Sequence, residues 1–249
     1  MNLDFTTHIF LNNKGGIGKT LSASMFIQYF IAAGFLIEGV DSDQQAPKLS
    51  RIKALNVPLI PLFENGEIQQ SSFDPVFTHI LQSKNATLID VGSSAFLPIL
   101  KYMQDNRLYD LLNQVNKQLF YHIIVTSGAE KYETMQGAEQ ILDRIKGTKV
   151  KAIVWQNEKD GIPTFGGQQL QETDWYIENQ DHISGIVKIL DYNNTAFRAD
   201  FLALMTEELT YQEIMDGKSK HFDFMRQNRI NRIFRDVFAD LDAIFNARI

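Results

Sequence analysis

The sequence predicts an α/β fold, a doubly wound and mostly parallel sheet in one domain over 1–249, with a helical C-terminal segment from about 195. Three observations predict it. Short apolar runs over 8–11, 35–40, 86–92, 121–126, 150–155 and 183–190 alternate with stretches of helical spacing, the pattern of strands joined by crossover helices. A glycine-rich turn joins the first run to the first helix, and two of the runs end in carboxylates, where an open sheet binds its ligands.

The turn runs Leu11, Asn12, Asn13, Lys14, Gly15, Gly16, Ile17, Gly18, Lys19, Thr20, between the strand His8-Ile9-Phe10-Leu11 and a helix predicted over 21–33. Gly15, Gly16 and Gly18 allow a tight turn whose successive N–H groups, from Gly15 through Ile17 to Leu21, cradle phosphate oxygens at a helix N-terminus. Lys19 is placed to reach β and γ phosphates, and the Thr20 hydroxyl to ligate Mg²⁺. The strict phosphate-loop pattern G-x-x-x-x-G-K-S/T fails at its first position, which is Asn13. A second lysine, Lys14, instead gives K-G-G-I-G-K-T. That string resembles the deviant loop of the ParA/MinD family of P-loop ATPases. The resemblance implies a homodimer on ATP binding, with Lys14 reaching the nucleotide held by the partner subunit.

Composition narrows the alternatives. A chain of 249 residues, 44% hydrophobic with 18 Phe, can bury a large core. The net charge of −6 argues against a general nucleic-acid coat. Cysteine is absent, which excludes thiolate metal sites and iron–sulfur clusters, and with them the chemistry of the nitrogenase iron protein and the arsenite pump ATPase. The start Met1-Asn2-Leu3-Asp4 lacks a basic, then apolar, leader pattern, and no run reaches about 18 apolar residues. A cytoplasmic protein is the expectation.

The second strand ends in Asp41-Ser42-Asp43-Gln44-Gln45. This D-x-D-x-Q is similar to the family's first switch segment, written there with Pro where this chain has Gln44. The match implies that Asp41 holds the Mg²⁺ water shell and that Asp43 orients the attacking water. Between 48 and 85, Pro58, Pro61 and Pro75, with Pro47 just before them, and the turn signal Asn65-Gly66 predict a broken connection, with a helical fragment near 75–83. The next run ends in Asp90-Val91-Gly92, where the resemblance implies a second Mg²⁺-water ligand in Asp90 and a backbone hinge at Gly92. Apolar spacing predicts one helix over 97–115 covering a sheet face, then a helix over 130–145 stopped at Gly147. The strand over 150–155 leads to Gln156-Asn157-Glu158, and in the family an Asn at that place recognises adenine, so Asn157 favours ATP. The run Asn157-Glu158-Lys159-Asp160 carries only half of the N-K-x-D signature of GTP sites.

His8, His79, His122, His182 and His221 show no metal-ligand spacing and read as core or surface residues. No G-x-S-x-G or H-E-x-x-H string occurs. A Gly/Gln-rich loop over 161–169 and a polar segment lead to the last strand. Asp191-Tyr192-Asn193-Asn194 then carries the chain over the nucleotide edge. Helices are predicted over 195–208, over 210–215 with the capping box Thr210-x-x-Glu213, and over 222–245. In the last, Ile230, Ile233, Phe234, Val237, Phe238, Leu241, Ile244 and Phe245 form one stripe, opposite Arg229, Arg232 and Arg235. Docking on its own domain is favoured over a membrane-surface role, because Asp236, Asp240 and Asp242 dilute the basic face. Contact of the three arginines with DNA phosphates is a weaker possibility.

The strings Val154-Trp155-Gln156-Asn157-Glu158, Asp181-His182-Ile183-Ser184-Gly185-Ile186-Val187, Asn194-Thr195-Ala196-Phe197, Leu209-Thr210-Tyr211-Gln212-Glu213 and Met225-Arg226-Gln227-Asn228-Arg229 add a narrower likeness. With Asp90-Val91-Gly92-Ser93-Ser94-Ala95-Phe96-Leu97-Pro98, they resemble the TraL-type conjugal-transfer ATPases, relatives of plasmid-stability proteins. The resemblance implies a Mg²⁺- and ATP-dependent dimerising switch, weakly hydrolytic, with a protein partner in plasmid transfer or partition. Two alternatives stand beside it: a nucleotide-gated binding module with negligible turnover, and a metabolic ligase of the dethiobiotin-synthetase kind.

Overall fold

The computed structural model describes residues 3–64, 67–191 and 195–246. The expected turn at Asn65-Gly66, residues Tyr192, Asn193 and Asn194 of the crossing segment, and Met1-Asn2 lie outside the described residues. In chain order the strands are β1 (Thr6–Phe10), β2 (Ile37–Asp41), β3 (Phe63–Glu64), β4 (Glu67–Ile68), β5 (Ala86–Asp90), β6 (Gln118–Thr126), β7 (Lys151–Asn157), β8 (Thr164–Phe165), β9 (Gln168–Gln169) and β10 (Ile183–Ile189). The helices are α1 (Lys19–Ala32), α2 (Asp74–Gln82), α3 (Phe96–Asp105), α4 (Leu108–Gln114), α5 (Lys131–Ile145), α6 (Asp174–Asn179), α7 (Thr195–Thr206), α8 (Tyr211–Met215) and α9 (Phe224–Phe245).

Six strands form one parallel sheet in the order β10-β7-β6-β1-β5-β2, and β3–β4 and β8–β9 are small hairpins. Because the chain leaves β1 toward β2 on one side and later returns to β6 on the other, the order reverses beside β1. That is where open α/β sheets bind ligands. Register does the rest. Asp41 lies opposite Asp90, Phe10 opposite Asp90, and Asn157 opposite both Thr126 and Ile189, so the motif residues share the carboxyl edge.

Every residue of β1 and β5 is buried, the polar Thr6, Thr7, His8, Thr87 and Asp90 included, as expected for strands covered on both faces. Alternate side chains serve two cores. Ile9, Ile89, Tyr121 and Ile123 pack under α2–α5, while Phe10, Leu88, Phe120 and Ile124 pack under α1 and α9. Helix α1 is buried from Ser22 to Phe30, held between the sheet and the C-terminal helices, with Tyr29 Oη donating to Asp242 at 3.0 Å. Its apolar character all round the helix fits that position.

The terminal helix docks on the sheet as expected. Ile230, Ile233, Phe234, Val237, Leu241 and Phe245 are buried, each such side chain contributing roughly 1.5–3 kcal/mol on leaving water. Gly185 of β10 permits the approach, since a Cβ there would lie 2.6 Å from Ile244 Cγ1. The stripe is therefore covered by its own domain.

Two local expectations change, and one that holds gains detail. The helix predicted over 97–115 is broken into α3 and α4, because Arg107 adopts a left-handed backbone (φ 51°) between them. The segment over 161–182 carries the β8–β9 hairpin and α6, elements too short to show periodicity. His8 and His122 are core residues, 114 positions apart, and their rings meet: His8 Nδ1 lies 2.9 Å from His122 Nε2. Trp155 Nε1 donates to His122 Nδ1 at 2.9 Å, and an indole N–H is a donor only. The His122 proton therefore sits on Nε2 and points to His8 Nδ1. His8 then donates from Nε2 to Thr6 Oγ1 at 2.9 Å, and Thr6 donates to Leu3 O at 2.7 Å. The chain closes with both rings neutral, and burial lowers the pKa of each, with Lys117 and then the neighbouring ring adding to it for His8 and His122 respectively.

Candidate functional site

The glycine turn sits on the carboxyl edge between β1 and α1. Gly16 (φ 76°) and Gly18 (φ 98°) hold left-handed backbone that other residues adopt only with strain, and Gly18 caps α1. Gly15 is exposed, and a Cβ on it would lie 3.5 Å from Ser93 Oγ, which brings the turn beside the segment after β5.

Two asparagines pin the turn. Asn12 donates from Nδ2 to Ile124 O at 2.9 Å and accepts from Ile124 N at 3.0 Å, so its side chain extends the β1–β6 ladder by one step. Asn13 donates from Nδ2 to Glu133 O at 3.0 Å, seated on α5 where Gly137 leaves room; a Cβ on Gly137 would fall 2.4 Å from Asn13 Oδ1. This explains the departure at the first position of the pattern: Asn13 is a tether to α5. Lys14 pairs with Glu133 Oε2 at 2.7 Å, and that hydrogen bond raises its pKa; both side chains are exposed. Sequence reasoning missed Asn12, Glu133 and Gly137. The one available signal was a glycine inside a helical pattern, which marks a close approach.

Lys19 and Asp90 are buried under the turn, and the Lys19 ammonium binds Asp90 Oδ1. The second oxygen, Oδ2, is buried with no hydrogen-bond partner. A buried carboxylate oxygen left unpaired is costly, and a ligand or its water would satisfy it. Half-buried Thr20 follows Lys19 on the first turn of α1. Asp41 is also buried, and its oxygens accept from Asp43 N (3.0 Å) and Ser50 N (2.9 Å). Burial raises its pKa, with the Asp90 charge adding to the shift and the hydrogen bonds opposing it. Asp43 accepts from Ala46 N at 3.1 Å, and Gly92 faces it so closely that a Cβ would come within 3.1 Å of the Asp43 carboxyl carbon. The structure thus gathers Lys19, Thr20, Asp41, Asp43 and Asp90 at one edge.

Among the described residues no group of three or more His, Asp or Glu forms a ready-made metal cage. Mg²⁺ does not require one, since it is held by one or two carboxylates with waters and substrate phosphates. The unpaired Asp90 oxygen beside Thr20 and Asp41 fits that mode.

Beyond the turn lies a cavity of about 220 Å³, walled by Leu21, Ile189, Phe197 and Phe201 and edged by Asn157, Lys159 and the Asp191–Arg198 ion pair. Asn157 donates from Nδ2 to Ile17 O at 2.9 Å and accepts from Lys159 N at 3.1 Å. Its amide therefore joins the end of β7 to the turn. A cavity flanked by apolar rings and aliphatic chains, next to a phosphate cradle, suits a flat base.

The three arginines of α9 are placed differently from one another. Arg229 is largely covered and pairs with Asp200, itself buried and also 3.2 Å from Arg226. Arg232 stands 6.0 Å above the Phe197 ring, and Arg235 pairs with Asp236 at 3.3 Å. They do not form one open basic row. No helix among the described residues is long and apolar enough to cross a membrane.

No family model matches the chain. It is similar to two Escherichia coli proteins named TraL. One is 28% identical over 236 residues, covering 95% of this chain and 97% of the relative. The other is 25% identical over 235 residues, covering 94% and 96%. Among solved structures it is similar to the MinD cell division protein of Aquifex aeolicus, with a TM-score of 0.51, 14% identity, and 95% and 96% of the two chains covered. The same organism's MinC:MinD complex gives a TM-score of 0.50 at 14% identity, covering 94% and 96%. The chain is thus similar to the TraL proteins over nearly its whole length and has the P-loop fold of MinD, the two resemblances its motifs imply.

Proposed function

We propose that this chain binds Mg·ATP at the glycine turn, closes on it as a homodimer, and hydrolyses it slowly, as a switch in plasmid transfer or stability. The observation that carries the reading is the Lys19–Asp90 pair under the turn, with Asp90 Oδ2 buried and unpartnered. An arriving triphosphate replaces Asp90 as the partner of Lys19. Asp90, so freed, would with the Thr20 hydroxyl and Asp41 hold Mg²⁺ and its waters. Backbone N–H groups from Gly15 to Leu21 hold the phosphates, and the cavity edged by Asn157 takes adenine. Mg²⁺ would neutralise charge on the β and γ oxygens. Lys14 leaves Glu133 for the neighbour's nucleotide, an exchange made easy by the exposure of the pair. Asp43, pressed on Gly92, aligns the attacking water, so that positioning and charge supply the catalysis. The likeness to the TraL proteins supports the plasmid setting, with a transfer or partition protein as partner, in the cytoplasm. Helix α9 gives DNA only Arg232 and Arg235 as exposed cations, so a protein partner is favoured.

Size-exclusion chromatography tests the switch. The wild type should elute at twice the monomer mass with a non-hydrolysable ATP analogue and as monomer with ADP, and Lys14→Ala should stay monomeric with both. Unchanged elution of the wild type overturns the dimer. Phosphate release then separates enzyme from binding module: equal negligible release by wild type and Asp43→Ala, with both dimerising, would make ATP a structural ligand.

A further inference from the structure

The cavity beside the glycine turn has two cations in its lining, Lys159 and Arg198, and Arg198 is neutralised by Asp191, which also lines it. Lys159 lines it together with Leu21, Ile189, Phe197 and Phe201. The residue is fixed at both ends. Its backbone N–H donates to Asn157 Oδ1 at 3.1 Å, while its ammonium donates to Gly16 O at 3.4 Å and lies 3.6 Å from Asp160 Oδ2. The turn that carries it is itself closed: Gly161 N donates to Glu158 O at 2.9 Å, and Ser127 Oγ donates to Gly161 O at 2.8 Å. Asp160 is seated against Gly128, where a Cβ would lie 3.3 Å from its own Cβ.

With backbone and ammonium both held, the four methylenes between them span the distance from the end of β7 to the phosphate loop. The side chain is only about one-third exposed although it carries a full charge, the behaviour of a lysine whose stem covers apolar surface while its head reaches polar partners. Apart from Asn157 and the mutually paired Asp191 and Arg198, the side chains that line it are aromatic and aliphatic, which suits an occupant that is flat and weakly polar on its faces.

Resting on the reading of this edge as a nucleotide site, we infer that Lys159 is a base-binding residue: its alkyl stem packs on the face of the purine while its ammonium stays on the Gly16 carbonyl. The stem supplies dispersion contact and excludes water from one face. The ammonium locks the stem to the loop that holds the phosphates, so base and phosphate subsites keep a fixed separation.

Calorimetric titration of the full chain with ATP and Mg²⁺ tests this, using Lys159→Ala and Lys159→Met. Alanine removes the stem and should weaken ATP binding roughly tenfold. Methionine keeps an unbranched apolar stem but loses the ammonium's hold on the Gly16 carbonyl, so its affinity should fall between those of wild type and Lys159→Ala. Thermal unfolding without nucleotide should be the same for all three proteins, since the residue faces the cavity and no core. Three results overturn the inference. In one, Lys159→Ala binds ATP as wild type does. In another, Lys159→Met is weakened as much as Lys159→Ala, which would assign the effect to the charge. In the third, Lys159→Ala loses thermal stability in step with affinity. A wild type that takes up no ATP would instead bring down the nucleotide site itself.

Discussion

Two regions of this molecule bury polar side chains in an apolar setting, and they do so in opposite ways. Beneath the sheet, Trp155, His122, His8, Thr6 and the Leu3 carbonyl pass hydrogen bonds in one direction until every donor and acceptor is used. At the carboxyl edge of the same sheet, the Lys19–Asp90 pair leaves Asp90 Oδ2 with nothing to bind. Both regions incur the cost of desolvation. Only the first offsets it internally, and so the second is where a ligand has something to add. Closed networks hold a fold; open ones await a partner.

The comparison predicts a double dissociation between binding and stability. The largest effect belongs to the edge. Lys19→Ala should weaken Mg·ATP uptake by about 100-fold or more in calorimetry, because a triphosphate then meets Asp90 without its cation. Uptake undiminished in that variant would remove the edge from the account.

Acid should act on the core. His8 and His122 have pKa values lowered by burial, so the unfolded chain binds protons near pH 6.5 that the folded chain refuses. Their contribution to stability is present above that pH and is lost as pH falls below it. The slope approaches about 2.7 kcal/mol per pH unit while both rings are protonated only in the unfolded state. Asp41, with its raised pKa, acts with the opposite sign and in a lower window: it favours the folded state as pH falls through its own titration, near and above the ordinary carboxylate range. Urea unfolding at intervals from pH 7.5 to 5 measures the histidine window. A flat profile there would mean that the pair is not held neutral.

Trp155→Phe comes next in size. It keeps the ring but removes the N–H that sets the tautomers, leaving His122 Nδ1 buried and unpaired, at a cost of about 1–3 kcal/mol in urea unfolding. ATP affinity should be unchanged. A variant that loses affinity as well would show that the two regions are not separable. The smallest effect is expected at Glu133→Gln, which loosens an exposed ion pair with Lys14. The melting temperature should hold while the ATP-dependent dimer becomes slightly more populated, as read by sedimentation at fixed protein concentration. A less populated dimer would give Glu133 a positive part in assembly.

Much of this was legible in the sequence because its signals are local. The glycine turn, the apolar runs of a sheet buried on both faces, and carboxylates closing two of them place Lys19, Asp41 and Asp90 at one edge once strand register is imposed. The capping box at Thr210 and Glu213 and the stripe of α9 were equally readable. What escaped depends on residues far apart in the chain. The His8–His122 contact, the grip of Asn12 on Ile124 and the seat of Asn13 on Gly137 each join positions more than 100 apart, and no periodicity encodes them. The break at Arg107 escaped for another reason, since a left-handed backbone at a non-glycine residue leaves no compositional mark. Arg229 read as a solvent-facing cation because Asp200, which it neutralises, lies on a different helix.

The most direct test of the central claim is calorimetric titration of the wild type with ATP, with Mg²⁺ present and then with the metal chelated. An unpaired Asp90 oxygen beside Thr20 and Asp41 predicts saturable uptake with Mg²⁺ and marked weakening on chelation. Heat that is absent in both titrations, or identical in both, would contradict it.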